Sequence, residues 1–409
     1  MRIGIVTTWF ERGAAYVSMQ YKKLLELKGH EVFIYARGED TDKIFGSSWD
    51  ANTVTTQKKD FAPIPTYINL KEFKQWLKKN KIESVLFNEQ KWLEPVALCR
   101  ELGVKTGLYI DYYTENTIQA YKIFDFLICN TKRHYSVFEW HKQAFYVPWG
   151  TNIDLFDVAY KRQASEKIRF FISAGMNPYR KGVDLAVAAF YELIELEPKL
   201  VDQIELIVHT QITLETFFKD NNIQQKIKKI KQLGLLKEIV KTVSAPGLYY
   251  EGDVYLYLSR LDGIGLTLAE ALAASMPIII PNDAPMNEFL PEIGSHTVKL
   301  NKMFCRYDAY YWPQNEIDIY DLIEKIKFII ENRNHMDTFR KASRLYAVNQ
   351  LNWNDRVNII DEIFCETELL NINKDDTNNA LSTSSEKYKF YVKLKKLYQL
   401  YYFFTKLFK

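Results

Sequence analysis

Short apolar strands alternate with amphipathic helices along this chain, and the alternation runs twice. In the first half "RIGIVTT", "HEVFIYA", "IESVLFN", "KTGLYID" and "FDFLICN" read as strands. Between the first two, "AYVSMQYKKLLELKG" carries Val17, Tyr21, Leu24 and Leu25 at helical spacing and stops at Gly29, a residue suited to a helix C-terminus. "LKEFKQWLKKN" and "WLEPVALCREL" read as further helices. After "VPWGTNIDLF" the pattern restarts. "IRFFISAG", "IELIVHT", "DVYLYLS" and "PIIIPN" are strand-like, and "KGVDLAVAAFYELIEL" is a helix with its stripe at Val183, Val187, Phe190 and Ile194. Such alternation predicts parallel sheets with helices on both faces, because a parallel neighbour is reached only by a crossover. The 409 residues are too many for one ordinary core. The expectation is an α/β chain of two doubly wound domains, 1–150 and 151–367, the second ending in closing helices.

Two segments follow. Residues 368–385 are polar and turn-rich, the composition of a linker. Residues 386–409 mix lysines and aromatics with almost no acid, and Phe390, Leu394, Leu397, Tyr401 and Phe404 share one helical face. That pattern predicts a helix lying on an anionic membrane surface, against the plainer reading of a basic helix docked on protein. The net charge of +3 is too small to argue for a nucleic-acid partner. Cys99, Cys129, Cys305 and Cys365 form no C-x-x-C pair, so neither zinc nor a disulfide framework is suggested. The opening apolar run is too short for a signal peptide, and no stretch approaches the roughly 20 apolar residues of a membrane span. A cytoplasmic protein, peripheral on the inner membrane face through 386–409, is expected.

Ligands of open α/β sheets bind where strands run into helix N-termini, whose free N–H groups favour anions. Three loops qualify. The first, "TTWFERGAAYVS", has Gly13 for close backbone approach; it is neither G-x-G-x-x-G nor a P-loop, and an ordinary turn explains it equally. In the second, "SAGMNPYRKGVDL", Arg180 and Lys181 stand before a helix start. Cations are not what a helix N-terminus favours unless an anion binds between them. The third, "LDGIGLTLAEALAASMPIII", places Asp262, Gly263 and Gly265 before a helix. Thr267 to Glu270 matches a capping box, which would make Glu270 a cap of its own helix and explain neither glycine.

These segments together resemble the retaining glycosyltransferases of glycosyltransferase family four. "RGAAYVSMQYKKLLELKGHEV" looks like that family's opening glycine loop, helix and strand start, and "VPWGTNIDLF" like its interdomain signature. "SAGMNPYRKGVDLAVAAF" is similar to its diphosphate segment. "DGIGLTLAEALAASMPIII" is similar to its E-x7-E block, and "LNW" at 351–353 to the F-S-W near its end. The resemblance runs from residue 1 to about 367 and implies the GT-B fold of two facing Rossmann-like domains, the first for the acceptor and the second for the donor. It implies that Lys181 contacts the donor diphosphate and that Glu270 takes the nucleotide ribose. The amides of Gly263, Ile264, Gly265, Leu266 and Thr267 would receive sugar hydroxyls and phosphate, with Gly13 and Arg180 also at the donor. Three departures stand out. Asp262 replaces the first acid of E-x7-E and Met176 sits where the family has arginine; for the place near the reacting carbon where the family often has histidine, "LYIDYYTEN" offers Asp111 and "LFNEQKW" offers Asn88 and Glu89, and Asp111 is the candidate carried over.

The expected activity is transfer of a hexosyl unit, with retention, from a nucleoside diphosphate sugar to a saccharide or lipid-linked acceptor in surface polysaccharide or glycoconjugate synthesis. No cofactor and no metal is expected, since cations and helix ends would carry the leaving-group charge and no D-x-D-like motif stands in a matching place. Asp111, Asp262 and Lys181 are the catalytic candidates. A sugar-nucleotide-binding subunit weakened in catalysis, a nucleotide-sugar epimerase and a phosphorylase remain as alternatives.

Overall fold

The computed structural model describes residues 1–9, 13–37, 52–57, 66–305 and 313–383. The tail 386–409, with its membrane reading, lies outside them. The chain divides into two compact units: Met1–Pro148 with the chain from Asn354 onward, and Trp149–Trp353.

In the first unit the order is β1 (Arg2–Thr7), α1 (Gly13–Leu27), β2 (Glu31–Ala36), β3 (Val54–Thr56), α2 (Leu70–Lys79), β4 (Ser84–Asn88), α3 (Glu94–Glu101), β5 (Lys105–Ile110), α4 (Glu115–Ala120), β6 (Phe126–Cys129), α5 (Lys132–Phe138) and β7 (Ala144–Tyr146). The seven strands form one parallel sheet in the order β3-β2-β1-β4-β5-β6-β7. The stripe read on α1 is its buried face: Val17, Tyr21, Leu24 and Leu25 are all in the core.

The second unit runs β8 (Ile168–Gly175), α6 (Val183–Leu196), β9 (Ile204–Thr210), α7 (Leu214–Phe217), α8 (Asn221–Gln232), β10 (Leu236–Val240), β11 (Val254–Leu256), α9 (Leu266–Ala273), β12 (Ile278–Pro281), β13 (Ser295–Val298), β14 (Leu300–Cys305), β15 (Pro313–Ile317), α10 (Ile319–Glu331) and α11 (Met336–Gln350). Six strands pair in parallel in the order β10-β9-β8-β11-β12-β13, and β14 and β15 form a separate antiparallel hairpin. Both sheets are doubly wound, as the alternation predicts. Strands β3, β7, β10 and β13 and the hairpin are the ones the sequence pattern does not single out. β3 and β7 are three residues long, and β10 (LKEIV) carries charges within it. Short or polar strands give too little apolar signal to be read alone.

Two boundary expectations need correction. The expected second domain reached residue 367, but α12 (Val357–Glu366) belongs to the first unit. Its apolar face of Ile360, Ile363 and Phe364 is buried there, with Phe364 edge-on to Phe126. Asp361 pairs with His30 at 2.7 Å, and Lys105 Nζ donates to the Phe364 carbonyl at 2.8 Å. Amphipathic spacing says that a helix buries one face, not against which sheet. The expected linker 368–385 is likewise no loose segment over its described part, 368–383. Residues 374–383 are helical, and Ala380 is buried in the first unit's core. The Leu370 amide donates to the buried Asp125 carboxylate at 2.9 Å.

Two sequence signatures meet inside the second unit. Thr151 N donates to the Leu351 carbonyl at 2.7 Å, Trp353 N donates to the Thr151 carbonyl at 3.0 Å, and the Trp149 and Trp353 rings lie 4.7 Å apart. A Cβ on Gly150 would sit 2.6 Å from the Leu351 oxygen, so only glycine fits there. "VPWG" and "LNW" thus clamp the entering segment of this unit to the leaving one.

Candidate active site

In the second unit the strand order reverses between β8 and β11, so the loops leaving these neighbours diverge and open a crevice at their carboxyl ends. Residues 176–182 leave β8, and residues 257–265 leave β11. Gly182 holds the two loops in contact. Its φ is +70°, and an added Cβ would meet the Leu258 carbonyl oxygen at 2.2 Å.

Arg260 locks the same pair of loops. Its amide donates to the Arg180 carbonyl at 2.8 Å. Its buried guanidinium forms two 2.7 Å bonds to the Asp184 carboxylate and a third, of 2.5 Å, to the Tyr179 carbonyl. It also stacks over the Tyr179 ring at 3.9 Å. A forked, charge-assisted pair of this kind fixes direction as well as distance. Nothing in the sequence pattern joins Arg260 to Asp184.

With the loops so held, Lys181 Nζ lies 2.6 Å from Asp262 Oδ2, and Arg180 Nη1 lies 3.9 Å from the same oxygen. Arg180 also donates to the Leu261 carbonyl at 3.1 Å. Lys181 Nζ stands 5.4 Å from the centre of the Tyr257 ring. Burial alone would raise the Asp262 pKa. The Lys181 ammonium and the Arg180 guanidinium more than offset that and hold it at about 2. Burial pulls Lys181 below its ordinary value, with Asp262 opposing and Arg180 assisting. The site therefore holds two cations against one firmly ionised carboxylate. Met176, at the family's arginine position, is 77% exposed, and Arg180 is the arginine that reaches Asp262.

The helix α9 starts at this crevice. Gly265 is its N-cap residue, left-handed at φ +70°, and no side chain caps the helix. The capping-box reading of Thr267 and Glu270 is thereby corrected. With Gly265 at the cap, Glu270 lies two residues past the position that reaches back. Its carboxylate instead accepts a hydrogen bond from the Tyr249 hydroxyl. Burial pushes the Glu270 pKa up to about 7, against the lowering effects of that hydrogen bond and of Lys181. Asp262 Oδ1 accepts from the Gly263 amide at 3.1 Å. Among the described residues, no protein acceptor meets the amides of Ile264, Gly265, Leu266 and Thr267, which begin the helix.

The structure thus gathers Arg180, Lys181, Asp262, Gly263, Ile264, Gly265, Leu266, Thr267 and Glu270 into one crevice. Gly13 and Asp111 belong to the first unit. Gly13 opens α1 after β1, and Asp111 follows β5, half-buried, where its charge adds to burial in raising the Tyr109 phenol. Between them, Asn88 at the end of β4 donates to the Ala14 carbonyl and to Ser18 Oγ, both at 2.8 Å, and Ser18 donates to Thr7 at 2.8 Å. Tyr249, Tyr257, Arg260 and Asp184 are site residues that the motifs do not reveal. The alternation of Tyr255 and Tyr257 in "DVYLYLS" is the only local signal, since it places both on one face of β11 and the residues just after it. Among the described residues, one trio of metal-capable side chains occurs, His30, Asp361 and Cys365, in the first unit; Lys28 also pairs with Asp361 at 3.4 Å.

Comparison with known proteins bears on this geometry. Residues 159–346 match the model of a family described as glycosyl transferases group 1. A curated relative, the uncharacterized glycosyltransferase 335 of Sulfolobus islandicus rod-shaped virus 1, is 24% identical over 184 residues, 44% of this chain. That match spans about half of the relative, 51% of its length. Among solved structures, a glycosyltransferase from Rickettsia africae aligns with TM-score 0.70 at 15% identity, over 89% of this chain and 98% of that one. Sucrose-phosphate synthase from Thermosynechococcus elongatus aligns with TM-score 0.65 at 16% identity, over 90% and 98%. Anabaena HepE, solved with UDP and glucose, aligns with TM-score 0.64 at 13% identity, over 90% and 99%. The fold is that of the two-domain GT-B proteins, and the family match, which falls on the second unit, supports a glycosyltransferase.

Proposed function

We propose that the chain is a retaining glycosyltransferase that moves a hexosyl unit from a nucleoside diphosphate sugar to a saccharide or lipid-linked acceptor. The observation that carries this reading is the meeting of Lys181, Arg180 and the uncapped start of α9 at the switch point of the second sheet. Two cations and one ionised carboxylate leave a net positive charge there. The helix start adds roughly half a unit more. A diphosphate leaving group develops negative charge as the glycosidic bond breaks, and fixed dipoles and cations stabilise it without reorganising. Anabaena HepE was solved with UDP and glucose, which makes a uridine donor the first to try.

Each residue has a distinct part. Lys181 exchanges its Asp262 partner for the diphosphate, with Arg180 beside it. Asp262 is then released toward the donor sugar, one methylene shorter than the family's glutamate. Glu270, with a pKa near 7, accepts from or donates to the ribose hydroxyls in place of Tyr249. Asp111 is the first unit's candidate near the reacting carbon. The cations and the helix start take the place of a metal, so EDTA should leave the rate unchanged. Retention of configuration, the family-four assignment and the acceptor class rest on the motif resemblance. A place at the inner membrane face rests on the composition of 386–409; among the described residues no helix is long and apolar enough to cross a membrane.

A thermal-shift screen of UDP-, GDP- and ADP-sugars tests the donor site directly, because a ligand that binds only the folded state raises apparent stability. One nucleotide series should stabilise the chain, and an added acceptor should then yield a product with the donor's anomeric configuration. No stabilisation by any of the three would overturn the donor site. Binding without transfer to any acceptor would favour the weakened-subunit reading.

A further inference from the structure

The second unit carries another cationic concavity, built from segments that take no part in the crevice described above. A groove of about 980 Å³ runs between α11 and the strand-entry segment 159–168. It lies at the amino ends of β8 and β11, since Ile168 and Asp253 line it, whereas the donor crevice lies at the carboxyl ends of the same strands. Arg162, Lys167, Arg333, Arg340, Lys341 and Arg344 line it, against two carboxylates, Asp253 and Asp337.

The pairing inside the groove is lopsided. Asp253 is shared between Arg169 at 2.9 Å and Arg340 at 2.7 Å. Asp337 is 84% exposed and, among the described residues, pairs only with Arg340, at 3.3 Å. The other cations rest largely on backbone carbonyls. Arg162 donates to the Ala274 carbonyl at 3.1 Å, Lys167 to Val201 at 2.9 Å, and Arg333 to Glu166. Arg344 donates to the Ile153 and Ala273 carbonyls at 2.8 and 2.9 Å, and to Asp157 at 3.0 Å. Carbonyls orient a guanidinium but do not neutralise it. Burial and the nearby Arg340 pull Arg162 down to about 10. The Nε groups of Arg162 and Arg340 are buried, with no acceptor among the described residues.

A structural role covers part of this set. Arg162 and Arg344 meet the last carbonyls of α9 and its following residue, where cations favour a helix C-terminus. It does not explain why Arg333, Arg340 and Lys341 face the same space, or why two Nε donors stay unmet. Cations gathered at this density repel one another unless an anion sits among them.

We infer that this groove is a second anion site, which binds a multiply charged phosphate group. The recognised chemistry is a phosphate or diphosphate, supplied either by a soluble molecule or by the headgroup of an anionic lipid. Its oxygens would meet the cations where they line the groove, chiefly Arg340, Arg333 and Lys341.

The test uses the full chain carrying Lys181→Ala, which removes a cation from the donor crevice. Titration calorimetry with inorganic pyrophosphate should still detect one site. Adding Arg333→Glu and Lys341→Glu, both at exposed positions, should weaken that binding about tenfold or more while the melting temperature holds. The milder Lys341→Ala should weaken it less, and guards against misfolding of the charge-reversed chain. Flotation with phosphatidylglycerol or phosphatidylcholine vesicles separates the sources. Loss of phosphatidylglycerol binding in the charge-reversed chain assigns a lipid headgroup. Pyrophosphate binding that the charge reversals weaken, with vesicle binding unchanged, assigns a soluble ligand. If pyrophosphate does not bind, or binds with an affinity that the charge reversals leave unchanged, and vesicle binding is also unchanged, the site does not exist.

Discussion

The two units share one topology and differ in what they place at its switch point. In the second unit the crevice between β8 and β11 holds Lys181, Arg180 and an ionised Asp262. In the first, the equivalent position between β1 and β4 holds a network of the side chains of Thr7, Ser18 and Asn88, all buried, with the Arg37 guanidinium turned to the Asn88 carbonyl at 2.9 Å. The fold supplies a crevice in both cases, and the side chains decide what can enter it. Fixed charge suits a diphosphate, whose cost of leaving water must be met by opposite charge. Amides and hydroxyls suit neutral polyols, which exchange hydrogen bonds with water for hydrogen bonds of similar strength. Under the proposed function, the donor's anion and the acceptor's hydroxyls are divided between the units along this line.

Three substitutions would sharpen that contrast or break it. The largest effect should come from Lys181→Ala, which should lower kcat/KM about a hundredfold or more, as loss of a preorganised group facing a developing charge does. Circular dichroism should remain that of the folded chain. Near-normal transfer would remove the second unit's charge from the mechanism.

Glu270→Gln should act on pH dependence. The Glu270 pKa stands at about 7 in the folded chain against an ordinary 4.5, so between these values the folded state holds a proton that the unfolded state has lost. Stability from this group is present in full below about pH 4.5 and declines as the pH rises through 7. Replacement by glutamine should flatten that decline in the melting temperature and weaken donor binding about tenfold through the lost ribose contact. An unchanged pH slope would mean that Glu270 is not the buried acid described here.

The smallest effect should come from Asn88→Leu, with a stability loss of about 1–2 kcal/mol from the broken network. Stabilisation by the donor should be untouched, while the KM for the acceptor rises. If the donor's stabilising effect falls instead, the division of roles between the units is wrong.

Local signals carried much of this. The alternation of strands and helices fixed the fold class, because periodicity and burial are properties of neighbouring residues. Val183, Val187, Phe190 and Ile194 fall in the core as their spacing requires. The glycines of "DGIGLTLAEAL" and the basic pair before α6 marked the loops that form the crevice. Where a local pattern had two physical uses, the sequence left the choice open. Thr267 and Glu270 match a capping box, yet Gly265 takes the cap and Glu270 turns to Tyr249, which is distant in sequence.

What the sequence determined, then, is whatever depends on chain neighbours: two doubly wound sheets, their strand-exit loops and the residue types available in them. Tertiary structure alone decided which distant groups meet. It joined Arg260 to Asp184, set Lys181 on Asp262, returned α12 to the first unit and gathered six cations along one groove. The physical reason is that charge and hydrogen-bond energies depend on distance in space and on burial. Neither quantity exists until the chain has folded.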